Sequence, residues 1–365
     1  MTKDTRLKAF MLTIDKKGIA HYTAQLAGYL ADHCDVTLFS PVGTGKYACR
    51  QARAVEVEFP FHRYDPRFFL KLASLVMTIR RANPDVVHIQ DLHPVLCMLM
   101  PFLGKAKLVQ TLHDVRPHPG EELWYKNLSL RYAVRKADAL IVHGEELRKL
   151  FIEDFPASER KLHVVPMGCG MEFISSQVEA VPEEKNILYF GRIREYKGVD
   201  ILLKAVPKVH EALPDWTFTI AGEGDCSDFR HLAEKYQDYV TLDNRMIEDE
   251  EIPALVGRSS LMVLPYIEAS QSGVLALAYG FHKPVVASRV GCLPDIVEDG
   301  KTGVLVPPGN ADALADAIIR LAQSPELRES MKSAIKTRLD GDLGWGVGAA
   351  KTFEVYETLL KRREK

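Results

Sequence analysis

At 365 residues the chain exceeds one ordinary hydrophobic core, and at about 100–200 residues per domain it should divide in two. A composition of 47% hydrophobic and 26% charged residues excludes a disordered chain, and no apolar run approaches the ~20 residues that span a bilayer. The opening MTKDTRLKAFMLTI has too short an apolar stretch for a signal peptide, so a cytoplasmic protein is expected.

The first half alternates short β-branched runs with amphipathic stretches. Residues 7–14 read as a strand, and residues 18–33 as a helix with Ile19, Tyr22, Leu26 and Leu30 at helical spacing. Strands are expected over 36–39, 55–59, 86–89, 108–112 and 140–142, with helices over 68–81, 123–136 and 145–155. Residues 161–166 supply a last strand. Strands interleaved with helices of this length require crossover connections and a parallel sheet, so this half is expected to be a doubly wound Rossmann-like domain.

The polar segment SSQVEAVPEEK, residues 175–185, reads as a linker. Alternation then restarts, with strands over 187–190, 218–221, 240–242, 261–264, 285–287 and 303–306, and helices over 199–213, 228–236 and 249–258. Two helices run through 311–338, and an amphipathic pattern over 345–360 closes the chain. The expected organisation is a first Rossmann-like domain over 1–174, the linker, a second over 186–344, and a terminal helix over 345–365 that crosses back to the first. Two parallel-sheet domains of this kind would face a cleft at the carboxyl ends of their strands, where ligands bind in such folds.

The net charge of −2 hides a mild asymmetry. Residues 1–180 hold 24 Lys and Arg against 20 Asp and Glu, or +4, which leaves −6 for the remainder. That is too little for a nucleic-acid protein. It is compatible with a solvated mixed surface, and also with a first half that touches acidic lipid head groups at the inner face of the membrane. The stretch FPFHRYDPRFFL, residues 59–70, mixes aromatics with His62, Arg63 and Arg67; it suits such a contact, or a helix starting at Pro66 packed on its own domain. Six cysteines at positions 34, 49, 97, 169, 226 and 292 show no C-x-x-C spacing, which gives neither a zinc site nor a disulfide framework.

Two stretches of the second half carry residues suited to anion chemistry. In FGRIREYKG, residues 190–198, a strand ends in Gly191 with Arg192 and Lys197 in the turn to a helix. Glycines let backbone approach phosphate oxygens, Arg192 can fork onto them, and Lys197 is a mobile point charge; solvated surface charges are the alternative. In LPYIEASQSGVLALAYG, residues 264–280, a strand ends in a proline turn with Glu268 before a helix near Ser270. The start of that helix offers unpaired N–H groups to an anion, and Glu268 could read sugar hydroxyls; an ordinary strand-helix-strand unit would also account for it.

The G-R-x4-K-G turn resembles the donor-phosphate turn of family 4 of the retaining glycosyltransferases, two-domain enzymes of the GT-B fold that move a sugar from a nucleotide diphosphate to an acceptor. Further stretches fall in the matching order: AGEGD at 221–225, the acid-bearing turn at 265–273, PVVAS at 284–288 with 291–295, and TGVLVPP at 302–308. In the first half Gly18, TLHD at 111–114 and VPMG at 165–168 occupy the family's places.

The resemblance implies roles residue by residue. Arg192 and Lys197 would neutralise the departing diphosphate, so no metal and no cofactor is expected beyond the UDP-, GDP- or ADP-linked sugar itself. Gly191 belongs to the same turn. Ser272 and Gly273 would hold the distal phosphate, Glu268 the donor sugar, and Gly18 would bring backbone to the same phosphate. Gly222, Gly224 and Met246 would line the base, Gln271 would make a polar contact, and His113 would touch the transferred sugar. The single D-x-D, Asp340 to Asp342, reads as a turn. The acceptor implied is a glycan or a lipid-linked acceptor. One departure stands out: the family's donor turn carries a second Glu, for the ribose hydroxyls, at a position that here is Ala276. That leaves a donor-binding but inactive scaffold subunit as the alternative, beside a nucleotide-sugar epimerase of the same fold.

Overall fold

The computed structural model describes residues 6–47, 52–57, 67–116, 124–170 and 181–361. It divides into two units, Met1–Gly168 with Trp345–Lys365, and Cys169–Gly344. The aromatic-basic stretch read at 59–70 lies outside the described residues as far as 66, as do Cys49 and residues 175–180 of the linker.

The first unit is a seven-stranded parallel sheet. Its strands are β1 (Lys8–Leu12), β2 (Asp35–Pro41), β3 (Arg53–Val57), β4 (Val86–Ile89), β5 (Lys107–Thr111), β6 (Ala139–Val142) and β7 (Leu162–Val164), in the order β3-β2-β1-β4-β5-β6-β7. The central runs VVHI and ALIV are buried throughout, as expected of parallel strands covered on both faces. Its helices are α1 (Gly18–Leu30), α2 (Arg67–Ala82), α3 (Pro94–Leu99), α4 (Trp124–Lys136) and α5 (Glu145–Asp154). From β3 onward every connection steps across the sheet in one direction, so right-handed crossovers put α2 to α5 on one face, and the reverse step from β1 to β2 puts α1 on the other. One core cluster joins Leu75 and Ile79 of α2, Leu96 and Leu99 of α3, and Ala133 of α4, as that layering requires.

The second unit repeats the winding with six strands: β8 (Asn186–Phe190), β9 (Thr217–Ala221), β10 (Val240–Asp243), β11 (Leu261–Leu264), β12 (Val285–Ser288) and β13 (Gly303–Val306), in the order β10-β9-β8-β11-β12-β13. Between and after them run α6 (Val199–Ala212), α7 (Arg230–Lys235), α8 (Ile252–Arg258), α9 (Gly273–Gly280), α10 (Leu293–Ile296), α11 (Ala311–Gln323) and α12 (Pro325–Leu339). Asn310 caps α11 by accepting from Ala313 N–H at 2.9 Å, and Pro325 opens α12 where its missing N–H costs nothing. Just before β12, Lys283 is buried; its ammonium donates to the carbonyls of Gly257 (2.9 Å) and Ser259 (2.6 Å) and pairs with Glu183 at 3.4 Å.

The last helix, α13 (Trp345–Lys361), belongs to the first unit. Tyr356 reaches from it to Nδ1 of buried His88 at 2.6 Å, and the Trp345 ring lies 5.3 Å from that of Tyr22. A side chain at Gly168 would collide with that indole. Both units have their topological switch point at one adjacent pair of strands, β1 and β4 in the first and β8 and β11 in the second, and the loops leaving those strands are where such sheets bind ligands.

Candidate functional site

In the second unit the two stretches singled out for anion chemistry are the two switch-point loops. The loop after β8 is shaped by its glycines and tied on both sides. Gly191 has φ +125°, donates to the Ala221 carbonyl at 3.0 Å, and packs so close to the start of α9 that a Cβ there would come to 3.1 Å from the Val274 side chain. Tyr189 donates its hydroxyl to the Arg192 carbonyl at 2.9 Å, which fixes the backbone that carries the guanidinium. A 3-10 turn over Glu195–Lys197 follows, and it ends at Gly198 in the left-handed region, φ +66°.

Gly198 lies directly on the Pro265 carbonyl, and Ile267 N–H donates to the Tyr196 carbonyl at 2.8 Å. The loop after β11 is thereby fastened to the loop after β8. Lys197 places its ammonium 3.7 Å from the centre of the Tyr266 ring, and the Tyr266 hydroxyl meets Ser272 Oγ at 3.2 Å. Burial pushes the Tyr266 phenol up to about 12, against the Ser272 hydrogen bond, so the ring under the ammonium stays neutral at physiological pH.

Ser272 caps α9, its Oγ accepting from Leu275 N–H at 3.2 Å. The first amides with acceptors inside the helix are those of Leu275 and Ala276, both on the Ser272 carbonyl, so Gly273 and Val274 stand ahead of them at the positive end of the helix. Gly273 is exposed, and nothing lies within 4 Å of where its Cβ would be. Glu268 and Arg192 are exposed, while Gln271 and Lys197 are half-buried. The fold thus brings together Gly191, Arg192, Lys197, Glu268, Gln271, Ser272 and Gly273: two cations, the start of a helix and one acid.

The neighbouring loops support this arrangement. A Cβ at Gly222 would run into the Gly191 carbonyl, and one at Gly224 into that of Ile193. Asn244 holds Gly224 by both backbone groups, accepting from its N–H at 3.0 Å and donating to its carbonyl at 3.1 Å. Met246 is exposed after β10, beside Arg245, which grips Glu251 through two bonds of 2.8 and 2.6 Å; that contact holds the Glu251 carboxyl down at about 2. Ala276 is buried within α9, and its carbonyl accepts from Gly170 N–H at 3.0 Å. In the D-x-D, Asp342 is engaged by Arg338, which also donates to the Ile296 carbonyl at 2.6 Å.

Gly18 and His113 belong to the first unit. Gly18 opens α1 and is exposed, but the start of that helix already holds a carboxylate: Asp15 accepts from the N–H groups of Lys17 (3.1 Å) and Ile19 (3.2 Å). Beside it buried Asp91 accepts from Ile14 N–H at 2.8 Å, and burial pushes its carboxyl up to about 7. His113 follows β5, half-buried, with its ring 5.0 Å from Tyr22 and 5.3 Å from His143. His143 Nδ1 lies 2.9 Å from the Val165 carbonyl and therefore carries the hydrogen, and burial pulls this ring down to about 3. His88 is likewise held neutral by burial, at about 3, between Tyr356 and Thr111.

Sequence reasoning passed over Tyr266, Asn244 and Asp91. Tyr266 carried a signal, an aromatic two residues before the acid in a turn already suspected; the other two become visible only through their backbone partners.

The model described as "Glycosyl transferases group 1" matches residues 184–324, and that described as "Glycosyltransferase Family 4" matches residues 16–172. Among curated relatives, a glycogen synthase of Mycobacterium tuberculosis is 29% identical over 308 residues, covering 79% of this chain and 72% of its own. A phosphatidyl-myo-inositol mannosyltransferase of Mycolicibacterium smegmatis is 28% identical over 367 residues, covering 94% and 90%. Among solved structures, sucrose-phosphate synthase of Thermosynechococcus elongatus superposes with a TM-score of 0.72 at 18% identity, covering 98% of this chain and all of its own. Anabaena HepE in complex with UDP and glucose gives 0.70 at 19% identity, covering 97% and 100%. With its two doubly wound sheets, its fastened switch-point loops, and family models matching each half, the chain belongs to glycosyltransferase family 4 and has the GT-B fold.

Proposed function

We propose that the protein is a retaining hexosyltransferase that takes a sugar from a nucleotide-diphosphate sugar and passes it to a glycan or lipid-linked acceptor without a metal ion. The observation that carries this reading is the fastening of the Arg192–Lys197 turn to the Glu268 turn at the start of α9, which gathers two cations and a helix N-terminus around one exposed acid. In this reading the Gly273 and Val274 amides take the distal phosphate. Arg192 and Lys197 neutralise the charge that builds on the leaving diphosphate, a contribution worth about 10²–10³ in rate per donor removed. Glu268 accepts from sugar hydroxyls. Binding fixes the acceptor hydroxyl on the face the diphosphate leaves, so the departing phosphate takes its proton and configuration is kept. His113 contacts the transferred sugar.

Support comes also from similarity to a glycogen synthase and to a phosphatidyl-myo-inositol mannosyltransferase, and from a structural neighbour that holds UDP and glucose. The test is release of free nucleotide from UDP-, GDP- and ADP-sugars, with and without a lipid extract, repeated in EDTA. Proton NMR of the fresh product then reads its anomeric configuration. Loss of turnover in EDTA would remove the metal-free mechanism, and an inverted product would remove retention. A donor-binding scaffold is the second reading, favoured by the buried methyl of Ala276 where the family carries a ribose-binding Glu. Nucleotide binding without release under every condition would select it.

A further inference from the structure

The carboxyl edge of the first sheet carries a cluster of rings drawn from two strand ends and two helices. His113 follows β5, His143 follows β6, Tyr22 stands on α1 and Trp345 opens α13. The Tyr22 ring lies 5.0 Å from both imidazoles, at 84° to His113 and 62° to His143, and Trp345 backs it at 5.3 Å. Edge-to-face contacts of this kind are worth about 0.5–1.5 kcal/mol each and hold ring planes in place. The two imidazoles themselves are 5.3 Å apart and tilted by 40°.

Of these rings His143 is anchored to the sheet. Val165 donates its N–H to the Val142 carbonyl at 2.9 Å, one residue before the histidine, and its own carbonyl lies 2.9 Å from His143 Nδ1. That bond fixes the tautomer, with the hydrogen on Nδ1 and a lone pair on Nε2. The Nε2 atom is buried, and no hydrogen-bond partner reaches it among the described residues. Burial also keeps it from taking up a proton of its own, since the ring titrates at about 3. A buried acceptor left open costs about 1–3 kcal/mol, so an N–H that comes to it is strongly favoured. His113 stands at the right range to bring one. Two imidazoles joined N–H to N have their centres about 5 Å apart, and turning the His113 ring about its Cβ–Cγ bond brings a nitrogen to face Nε2 without moving the backbone.

We infer that His143 is a positioning residue: its Nε2 accepts a ring N–H of His113, which fixes the plane of that ring and decides which of its nitrogens is turned outward. The inference rests on the transferase reading only for what the outward nitrogen meets, the transferred sugar. It is tested on the full chain labelled with 15N-histidine. One ring N–H of His113, assigned by its loss in His113→Ala, should be protected from exchange with water. His143→Asn keeps the bond to Val165, because its amide nitrogen takes the place of Nδ1, but loses the acceptor at Nε2. It should abolish the protection and lower kcat about tenfold with little change in KM. His143→Gln carries an amide oxygen out to the depth of Nε2 and should restore both. His113→Ala combined with His143→Asn should be no slower than His113→Ala alone.

A His113 ring N–H that exchanges freely in the parent chain would overturn the inference, and that measurement needs no variant to fold. Protection that survives His143→Asn would also overturn it, assigning the His113 hydrogen to a water or another group. So would equal kcat in the Asn and Gln variants, or losses that add in the double variant. The exchange measurement separates this failure from that of the transferase reading. A chain that releases no nucleotide, yet loses the protection in His143→Asn, gives up the transferase reading and keeps the bond between the rings.

Discussion

Replacing Gly198 by Ala should break the joint between the two switch-point loops. At φ +66° a residue with a Cβ carries a backbone cost of about 1–2 kcal/mol. The added methyl would also run into the Pro265 carbonyl oxygen and come to 3.0 Å from its carbon, a backbone collision that no rotamer change relieves. Overpacking of this kind costs about 1–3 kcal/mol. If the Pro265 turn retreats, the 2.8 Å bond from Ile267 to Tyr196 goes with it, for about 1 kcal/mol more. The total is on the order of 4 kcal/mol, which at about 2–4 °C per kcal/mol should lower the melting transition of the second unit by roughly 10 °C in calorimetry. Gly273→Ala is the contrasting variant, since its methyl enters open space. Its melting transition should stay put while its KM for donor rises, because the methyl occupies the region over the helix amides. A Gly198→Ala protein that melts within about 2 °C of the parent and binds donor equally well would refute the claim that these loops act as one unit.

Three further outcomes follow from the same geometry. Arg192→Ala should lower kcat/KM by about 10²–10³ with little change in melting temperature, because the side chain is exposed; a matched loss of stability would mean that Arg192 is structural. Tyr266→Phe keeps the face under Lys197 and loses only the 3.2 Å contact to Ser272, so it should cost about 1 kcal/mol of stability; Tyr266→Leu should in addition lower kcat, and equal kcat in the two variants would dismiss the ring. Burial raises the folded carboxyl of Asp91 to about 7, while the unfolded chain titrates near the ordinary value of about 3.9. Its contribution is full below pH ~4 and is lost as pH rises through 7, so Asp91→Asn should gain stability relative to the parent between pH 5 and pH 8, by at most about 3 kcal/mol; urea midpoints that differ equally at both pH values would refute this.

The alternation of strands and helices was legible in the sequence because parallel strands are apolar throughout and their helices are amphipathic. Residues 86–89 and 303–306 read as strands and are strands over the same spans. The first helical turn of α9 was expected near Ser270 and begins at Gly273, because Ser272 rather than Ser270 accepts the capping bond from Leu275. The short α3 went unread, since HPVLCML is too brief to show a period and its cap is a histidine, His93 Nδ1 accepting from Val95 N–H at 3.2 Å. In the turns over 190–198 and 264–280, residue types announced charge and flexibility. What they could not announce was that Gly198 and Pro265, far apart in the chain, would lie in contact, or that Lys197 would rest on Tyr266. Contacts between loops depend on strand order, and strand order is written in no local pattern.

The chain path of the first unit has a consequence for synthesis. The second unit is one continuous stretch and can close as soon as its residues leave the ribosome. The first emerges earlier but lacks its final piece: until Trp345–Lys361 appears, His88 has no Tyr356, and Tyr22 and Gly168 face no indole. Its core must wait, part-finished, through the whole translation of its neighbour, and any pause or cleavage near Gly344 would strand it with buried polar groups open to water.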